Sequence, residues 1–291
     1  MQQVKAEHFL TTHCDLGEGP LWHVGEQCLY WVDIEVGHIH RYCAFTASHE
    51  RFTLGVSIGS FGFRAGGGLI LATGKGFAFW NVKDREIQFL NNPLEGVVNV
   101  RMNDGKVDAS GRFWAGSMDR KGNGALYCYH ADSTCLTVLK NIKISNGLVW
   151  SLDESIFYYT DSGDHAIYQF DFEKTVGEIS NRRVFLQLPK DNRLGVPDGL
   201  TIDREGFIWS ARWDGGKVVR YSPEGEPVLE VLLPVSRVTS VTFGGKDMKD
   251  LFITTASNGL APDQLAEQPL AGDVFVYRSE VSGLAPSFFI G

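Results

Sequence analysis

Three short motifs in the 291-residue sequence each place an oxygen-bearing side chain directly before a glycine: Glu18-Gly19, Asn146-Gly147 and Asp198-Gly199. Two carboxylates and an amide carbonyl are hard ligands, which suit Ca²⁺, Mg²⁺ or Mn²⁺ better than a thiolate-seeking metal. A cation held in this way can polarise a carbonyl group and lower the pKa of a bound water. The motifs therefore indicate metal-assisted hydrolysis, provided that the fold brings them together.

Each motif also has a structural interpretation, because Asn-Gly and Asp-Gly are strong hairpin-turn signals. The same alternative applies to Asn103, which precedes Asp104-Gly105. The ligand interpretation is favoured by position within a repeat. Glu18 stands in Gly-Glu-Gly-Pro, which is no standard hairpin sequence, yet it occupies the same repeat position as Asn146 and Asp198.

The repeat extends over most of the chain. Residues 103–114 align without a gap to 198–209, and residues 18–33 align in the same way to 146–161. With weaker copies near Gly59 and Thr239, the units begin at 18, 59, 103, 146, 198 and 239, at intervals of 41 to 52 residues. The widest interval predicts a longer loop from Gln187 to Val196.

Short runs of β-branched and aromatic residues, separated by Gly, Asp and Asn clusters, predict that most of the chain is β-strand. About four strands in each unit of about 40 to 50 residues are typical of a β-propeller blade. The sequence thus predicts an all-β, six-bladed propeller that forms a single domain over residues 1–291. The innermost strands of a propeller line its central channel, so we expect equivalent repeat positions to meet at one mouth: Glu18, Gly59, Asn103, Asn146, Asp198 and Thr239.

Four motifs in this order also resemble a known family. They are Gly17-Glu-Gly-Pro-Leu-Trp22, Arg101-Met-Asn-Asp-Gly-Lys-Val-Asp108, Ser145-Asn-Gly147 and Pro197-Asp-Gly199. Over nearly its whole length the chain resembles the senescence marker protein 30, regucalcin and gluconolactonase group of six-bladed propellers. The segment 258–275 looks most like bacterial sugar aldonolactonases of the xylono-, arabino- or gluconolactonase type.

This resemblance implies roles for five residues. Glu18, Asn146 and Asp198 match the family's metal ligands, Asp198 also matches its proposed general base, and Arg101 and Asn103 match residues that hold substrate oxygens. The residue types agree, since Arg101 offers forked cationic donors and Asn103 both donates and accepts hydrogen bonds. One departure concerns the loop 119–123, where some relatives carry an acidic substrate contact that does not align securely here.

The predicted reaction is hydrolysis of a sugar aldonolactone to its aldonic acid, with one divalent cation. Ca²⁺ is the expected ion, and Zn²⁺, Mn²⁺, Mg²⁺ and Fe²⁺ are alternatives, because hard-ligand geometry overlaps among divalent ions. Two other functions are compatible with the motifs: a calcium-binding propeller without catalytic activity, and a hydrolase of other esters or phosphotriesters.

Composition excludes several other classes. The formal net charge is −8, and no block of like charges occurs, so non-specific binding to the phosphate backbone of nucleic acids is not expected. No apolar run approaches the roughly 20 residues of a membrane span, and residues 1–10 lack the apolar stretch of a secretory signal. Five cysteines without a C-x-x-C pair predict reduced thiols in a cytoplasmic protein. A small sugar lactone is the only partner indicated, with no membrane and no obligatory protein partner.

Four further patterns are interpreted as structural. Gly55-Val-Ser-Ile-Gly59 fits the G-x-S-x-G nucleophile motif but is not followed by a predicted helix. His38 and His40 share one face of a strand and are predicted to be a surface pair, since no third soft ligand accompanies them. Tryptophan and phenylalanine residues are assigned to the core. Four aspartates at repeated positions are expected to close turns by bonds to the backbone: Asp33, Asp108, Asp161 and Asp203.

Overall fold

The computed structural model describes residues 1–190 and 194–291, and it confirms the predicted six-bladed β-propeller. Twenty-five strands form six sheets, and the described residues also contain a short 3₁₀ helix (Ser162–Asp164) and a short α-helix, α1 (Pro262–Glu267). The predicted loop between Gln187 and Val196 joins two blades, and its residues 191–193 lie outside the described residues.

Each blade is an antiparallel meander whose first strand is innermost. Blade 1 contains β3 (Gly17–His23), β4 (Cys28–Asp33), β5 (His38–Cys43) and β6 (Ser48–Thr53). Blade 2 contains β7 (Ile58–Phe63), β8 (Leu69–Thr73), β9 (Gly76–Trp80) and β10 (Ile87–Phe89). Blade 3 contains β11 (Arg101–Val107), β12 (Phe113–Met118), β13 (Gly124–Tyr129) and β14 (Cys135–Ile142). Blade 4 contains β15 (Ser145–Trp150), β16 (Ile156–Asp161), β17 (Ala166–Glu173) and β18 (Glu178–Gln187).

The last two blades are completed by the start of the chain. Blade 5 contains β19 (Val196–Ile202), β20 (Ile208–Trp213), β21 (Lys217–Tyr221) and β22 (Pro227–Leu232), and β1 (Gln2–Lys5) adds a parallel fifth strand. Blade 6 contains β23 (Val238–Gly244), β24 (Asp250–Thr255) and β25 (Val274–Arg278), with β2 (Glu7–Leu10) as its antiparallel outer strand. The N-terminal segment therefore closes the ring by joining its last two blades.

The hydrophobic core is divided among the blade interfaces. Six clusters of buried apolar side chains each draw their strand residues from two neighbouring blades, and together they run once around the ring. Trp31, Trp114 and Trp209 are fully buried in these clusters, which confirms the predicted packing role of the large rings. Because burying one large apolar side chain contributes roughly 1.5–3 kcal/mol, blade stacking is the main source of stability.

The repeated aspartates fix the blade turns as predicted. Asp33 accepts the backbone N–H groups of Asp15 and Leu16, and Asp161 accepts those of Lys143 and Ile144. In blades 3 and 5 the aspartate also accepts a tryptophan indole N–H: Trp114 bonds to Asp108 and Trp209 bonds to Asp203. These carboxylates therefore hold strand ends in register.

The end of the channel away from the strand starts is covered by the C-terminal segment. Gly283 forms a bridge with Asp203, and Phe289 forms one with Arg64 while its ring is completely buried. Residues 284–287 line a cavity together with the last residues of the innermost strands, including Val107 and Ile202. The chemistry predicted from the strand starts therefore belongs to the opposite mouth.

The cysteines differ from the prediction. Cys28 and Cys43 form a disulfide, because they are directly opposed residues of the neighbouring strands β4 and β5. The expectation that all five thiols are reduced is therefore wrong for this pair, whereas Cys14, Cys128 and Cys135 are free. No helix in the described part of the chain has the length and apolar character needed to cross a membrane.

Candidate active site

A β-bulge interrupts every innermost strand at the repeat position predicted to face the channel. The pairing with the second strand shifts between Glu18 and Leu21 in blade 1, between Ser145 and Leu148 in blade 4, and between Pro197 and Leu200 in blade 5. Blades 2, 3 and 6 shift at the corresponding residues. A bulge removes residues from the ladder and redirects their side chains. Asn103, Asn146 and Asp198 thus lie within strands, and the hairpin-turn alternative is wrong.

The bulges bring all five predicted site residues to one cavity at the channel mouth. The cavity has a volume of about 470 Å³. Its lining includes the five predicted residues, Glu18, Arg101, Asn103, Asn146 and Asp198, which come from four different blades. Glu18, Asn103, Asn146 and Asp198 are each no more than 5 % exposed, so they face the cavity from a desolvated wall.

A chain of hydrogen bonds fixes the amide side chains. The Arg101 guanidinium donates to Asn103 Oδ1 at 2.6 Å, and Asn103 Nδ2 donates to Asn146 Oδ1 at 2.7 Å. Asn146 Nδ2 in turn donates to Ser162 Oγ at 2.7 Å, and this hydroxyl donates to the Pro197 carbonyl at 2.6 Å. The network fixes the amide of Asn146, which lines the cavity, and its carbonyl oxygen keeps a second lone pair.

The carboxylates of the site repel one another. Burial raises the pKa of Glu18 well above its usual range, and the charges of Asp104 and Asp198 raise it further. Burial and the Asp104 charge likewise raise the pKa of Asp198. Asp198 Oδ1 is buried and has no hydrogen-bond partner among the described residues. Because a cation would relieve the repulsion and satisfy this oxygen, the residues present fit a hard divalent ion.

A second polar layer lies deeper in the channel, below the predicted residues. The bulge at Asn103 also places Asp104 along the channel, where burial raises the pKa of its carboxyl to about 7. Lys106 lines the same part of the channel, donates its ammonium to the Leu200 carbonyl at 3.2 Å, and has its pKa lowered to about 8 by burial. Both residues were missed because Asp104-Gly105 was interpreted only as a turn signal.

Residues from the surrounding loops complete the mouth, and sequence reasoning missed most of them. Ser162 belongs to no motif. Its only signal in the sequence is that it comes directly after Asp161, one of the repeated turn aspartates. Glu35 pairs with Arg101 at 3.1 Å, and His165, whose Nδ1 is buried without a described partner, lines the opposite side.

The loop 119–123 places a positively charged side chain at the channel mouth. Asp119 accepts bonds from Lys121 and Asn123 within the loop itself, whereas Arg120 lines the cavity. The loop's contribution to the lining is therefore Arg120.

The histidine pair of blade 1 is not the surface pair that was predicted. His40 is only 2 % exposed, and its Nε2 lies 3.8 Å from the sulfur of Cys14. This contact could not be read from the sequence, because Cys14 precedes β3 and reaches β5 only through the folding of the blade.

Comparison with known proteins gives matches over the whole chain. The family model described as SMP-30/Gluconolactonase/LRE-like region matches residues 16–257. Regucalcin from Oryctolagus cuniculus is 37 % identical over 301 residues, and regucalcin from Danio rerio is 38 % identical over 298 residues, in both cases covering 100 % of each chain.

Several solved structures have the same fold and superpose on most of this chain. A luciferin-regenerating enzyme superposes with a TM-score of 0.91 at 28 % identity, covering 98 % of this chain and 99 % of that one. A calcium-binding protein, regucalcin, from Agrobacterium tumefaciens gives a TM-score of 0.94 at 23 % identity, covering 99 % of each chain. A gluconolactonase from Xanthomonas campestris gives 0.71 at 19 % identity, covering 91 % of this chain and 86 % of that one.

Proposed function

Since this chain belongs to the SMP-30/gluconolactonase/LRE-like family, we propose that it hydrolyses a sugar aldonolactone to the aldonic acid with the aid of one divalent cation. The observation that carries the proposal is the cavity at the channel mouth, where two carboxylates and a fixed amide oxygen from three blades face one space. A gluconolactonase among the structural relatives is in keeping with lactone chemistry.

Glu18, Asn146 and Asp198 would hold the cation, and Ca²⁺ is the ion we propose because all three donors are hard oxygens. When bound, the cation supplies Lewis acidity toward the lactone carbonyl. The regucalcin relatives, one of them described as calcium-binding, support this choice.

The other residues of the mouth would bind and orient the sugar. Arg101 remains cationic at any working pH, and it lines the cavity wall while paired with Glu35 and Asn103. Asn103 contributes to the same wall, and we propose that the two residues contact the ring oxygens and the nascent carboxylate. Asp198 would accept a proton from, or orient, the attacking water with its unpartnered oxygen.

The proposal is tested with metal-stripped protein, a panel of pentono- and hexonolactones, and a pH indicator in weak buffer. We expect acid release only after Ca²⁺ is added. Asp198→Ala and Glu18→Gln should each lower the rate by about a hundredfold or more, as losses of electrostatic stabilisation commonly do. Asp171→Asn, which alters a solvent-exposed carboxylate on β17 in blade 4, is the control and should retain full activity.

Three results would change the conclusion. Near-normal turnover by Asp198→Ala with cation binding retained would remove Asp198 from the reaction. Ca²⁺ binding without acid release from any lactone would favour the non-catalytic calcium-binding propeller. Release only from non-sugar esters or phosphotriesters would favour the third function. A cytoplasmic location remains a prediction of the sequence.

A further inference from the structure

A second group of metal-ligating side chains lies inside the protein, between blade 1 and blade 6. Cys14 precedes β3, Asp33 ends β4 and His40 lies on β5. One ligand atom from each of them lies within 4.8 Å of the other two, and the Cys14 sulfur is 3.8 Å from His40 Nε2. The three side chains are 1 %, 4 % and 2 % exposed, and none belongs to the lining described for the channel cavity.

The surroundings hold two of these groups in a ligating orientation. His40 Nδ1 lies 3.0 Å from His49 Nε2, and both histidine rings stack on Trp31, with their centroids 4.9 and 5.3 Å from that of the indole. When Nδ1–H donates to His49, the Nε2 lone pair is directed at Cys14, an arrangement typical of metal-ligating histidines. The carboxylate of Asp33 is fixed by two backbone N–H groups and keeps further lone pairs.

Blade 4 provides an internal comparison. Its turn aspartate, Asp161, accepts the same two backbone N–H groups as Asp33, so the carboxylate belongs to the blade architecture. The blade 4 positions that correspond to Cys14 and His40 are occupied by Ile142 and Tyr168. A blade therefore folds without the thiol and the imidazole, and their meeting in blade 1 needs a separate explanation.

We propose that Cys14, Asp33 and His40 form a second metal site, specific for Zn²⁺ and chemically distinct from the oxygen site at the channel mouth. Sulfur and imidazole nitrogen are the donors that Zn²⁺ prefers, whereas Ca²⁺ takes oxygen ligands. On binding, the Cys14 thiol releases its proton to solvent, and the resulting thiolate and the carboxylate neutralise the ion's two positive charges. No Lys or Arg in the described residues lies within ion-pairing distance of Asp33.

As proposed, the site is structural, since its three protein ligands are buried and none of them lines the cavity at the channel mouth. Its effect is to fasten the segment before β3, which follows the ring-closing strand β2, to the body of blade 1. Zn²⁺ that binds only the folded protein raises thermal stability by mass action.

Cobalt provides the test, because Co²⁺ replaces Zn²⁺ and a thiolate ligand produces a near-ultraviolet charge-transfer band that an all-oxygen site cannot produce. We expect metal-free full-length protein, kept saturated with Ca²⁺, to develop this band with one equivalent of Co²⁺ and to lose it when Zn²⁺ is added. Cys14→Ser and His40→Gln should abolish the band. The matched control is Cys128→Ser, which removes a buried thiol 3.6 Å from His130 Nε2 that has no third ligating side chain grouped with it in the described residues.

Zn²⁺ should also raise the midpoint of thermal unfolding by several degrees in the wild type and in Glu18→Gln, but not in His40→Gln. This second measurement does not depend on the variant Cys14→Ser folding. The absence of the band in wild-type protein would overturn the proposal, as would its persistence in Cys14→Ser or its loss in Cys128→Ser.

Discussion

Asp198 would have two duties that oppose each other chemically. Coordination to a cation lowers the pKa of a carboxylate and so weakens it as a base. The geometry offers a way to combine them, because one oxygen of this buried side chain has no described partner. One oxygen can therefore ligate while the other orients water. In the proposed reaction Asp198 would then act mainly by positioning water, and most of the rate enhancement would come from stabilising the charge that develops on the lactone oxygen.

Because of Lys106, we expect the free energy of unfolding to vary with pH in the alkaline range. Burial lowers the pKa of its ammonium to about 8 in the folded protein, below its ordinary value of 10.5. Between these values the unfolded chain binds more protons than the folded one, so stability rises as pH increases through this window. From pH 8 to 9.5 we expect the free energy of unfolding to gain about 1–2 kcal/mol from this residue. Urea unfolding of the wild type and of Lys106→Met at both pH values measures the gain.

The informative quantity is the difference between the two proteins, since tyrosines common to both also titrate at high pH. Lys106→Met should lack the gain, although its stability at pH 8 is lower because Asp104 loses its cationic neighbour. An equal pH response in both proteins would show that the ammonium is hydrated and not held in the channel.

At the level of single residues, the sequence could predict those cavity residues that are set only by their position within the repeat. Glu18, Asn146 and Asp198 were identifiable because equivalent positions of a propeller meet at the channel. Ser162, Lys106 and the Cys14–His40 contact were not, because each requires knowledge of a bulge or of how a connecting segment packs. The Cys28–Cys43 pair depends in the same way on strand register, which spacing in the sequence did not reveal.

The bulged innermost strand is the element that creates the site, and glycine allows neighbouring bulges to approach. A Cβ atom on Gly147 would lie 2.5 Å from the Leu200 nitrogen and 2.7 Å from the Asp198 carbonyl oxygen. Backbone atoms cannot rotate away, so β15 and β19 would have to separate, and with them Asn146 and Asp198. The first residues of the six innermost strands thus pack together as one ring. The residue after Asn146 must be small, because the backbone of the neighbouring strand lies against it.

We therefore predict that Gly147→Ala lowers the free energy of unfolding by about 1–3 kcal/mol, the usual cost of overpacking. It should also weaken Ca²⁺ binding, because it alters the spacing of two proposed ligands. Chemical denaturation and calorimetric titration measure the two effects. Gly66→Ala is the control, since its Cβ would meet no atom within 4 Å, and a change within about 0.5 kcal/mol is expected. Unchanged Ca²⁺ affinity in Gly147→Ala would mean that the mouth tolerates separated strands.

Fold prediction succeeded at the level of elements because each blade repeats its own hydrophobic and turn pattern. The predicted unit starts at 146 and 198 lie in β15 and β19, the innermost strands of blades 4 and 5. The ring closure was not predictable, because β1 and β2 lie outside the repeat and pair with strands more than 200 residues away. Such pairing depends on where the last blade ends in space.

For the whole molecule, stability depends on that closure. The N-terminal segment adds β1 to blade 5 and β2 to blade 6, and Phe9 packs its ring against Phe252 and Tyr42 at 5.0 and 4.9 Å. The backbone N–H groups of Thr12 and His13 donate to the buried carboxylate of Asp273, just before β25. The two ends of the chain are therefore joined by strand pairing, aromatic contact and a buried acceptor.

Deleting residues 1–10 should open this joint and expose the edges of β22 and β25. The lost ladder and the loss of Phe9 burial predict a destabilisation of about 3 kcal/mol, which corresponds to about 6–12 °C in the midpoint of thermal unfolding. Exposed strand edges should also promote concentration-dependent association, visible by light scattering. Phe9→Ala retains the strands and should show a smaller shift, whereas Phe89→Ala, at an exposed ring on β10, should show almost none. If the deletion variant unfolds at the wild-type temperature and shows no added association, blade stacking alone holds the ring closed.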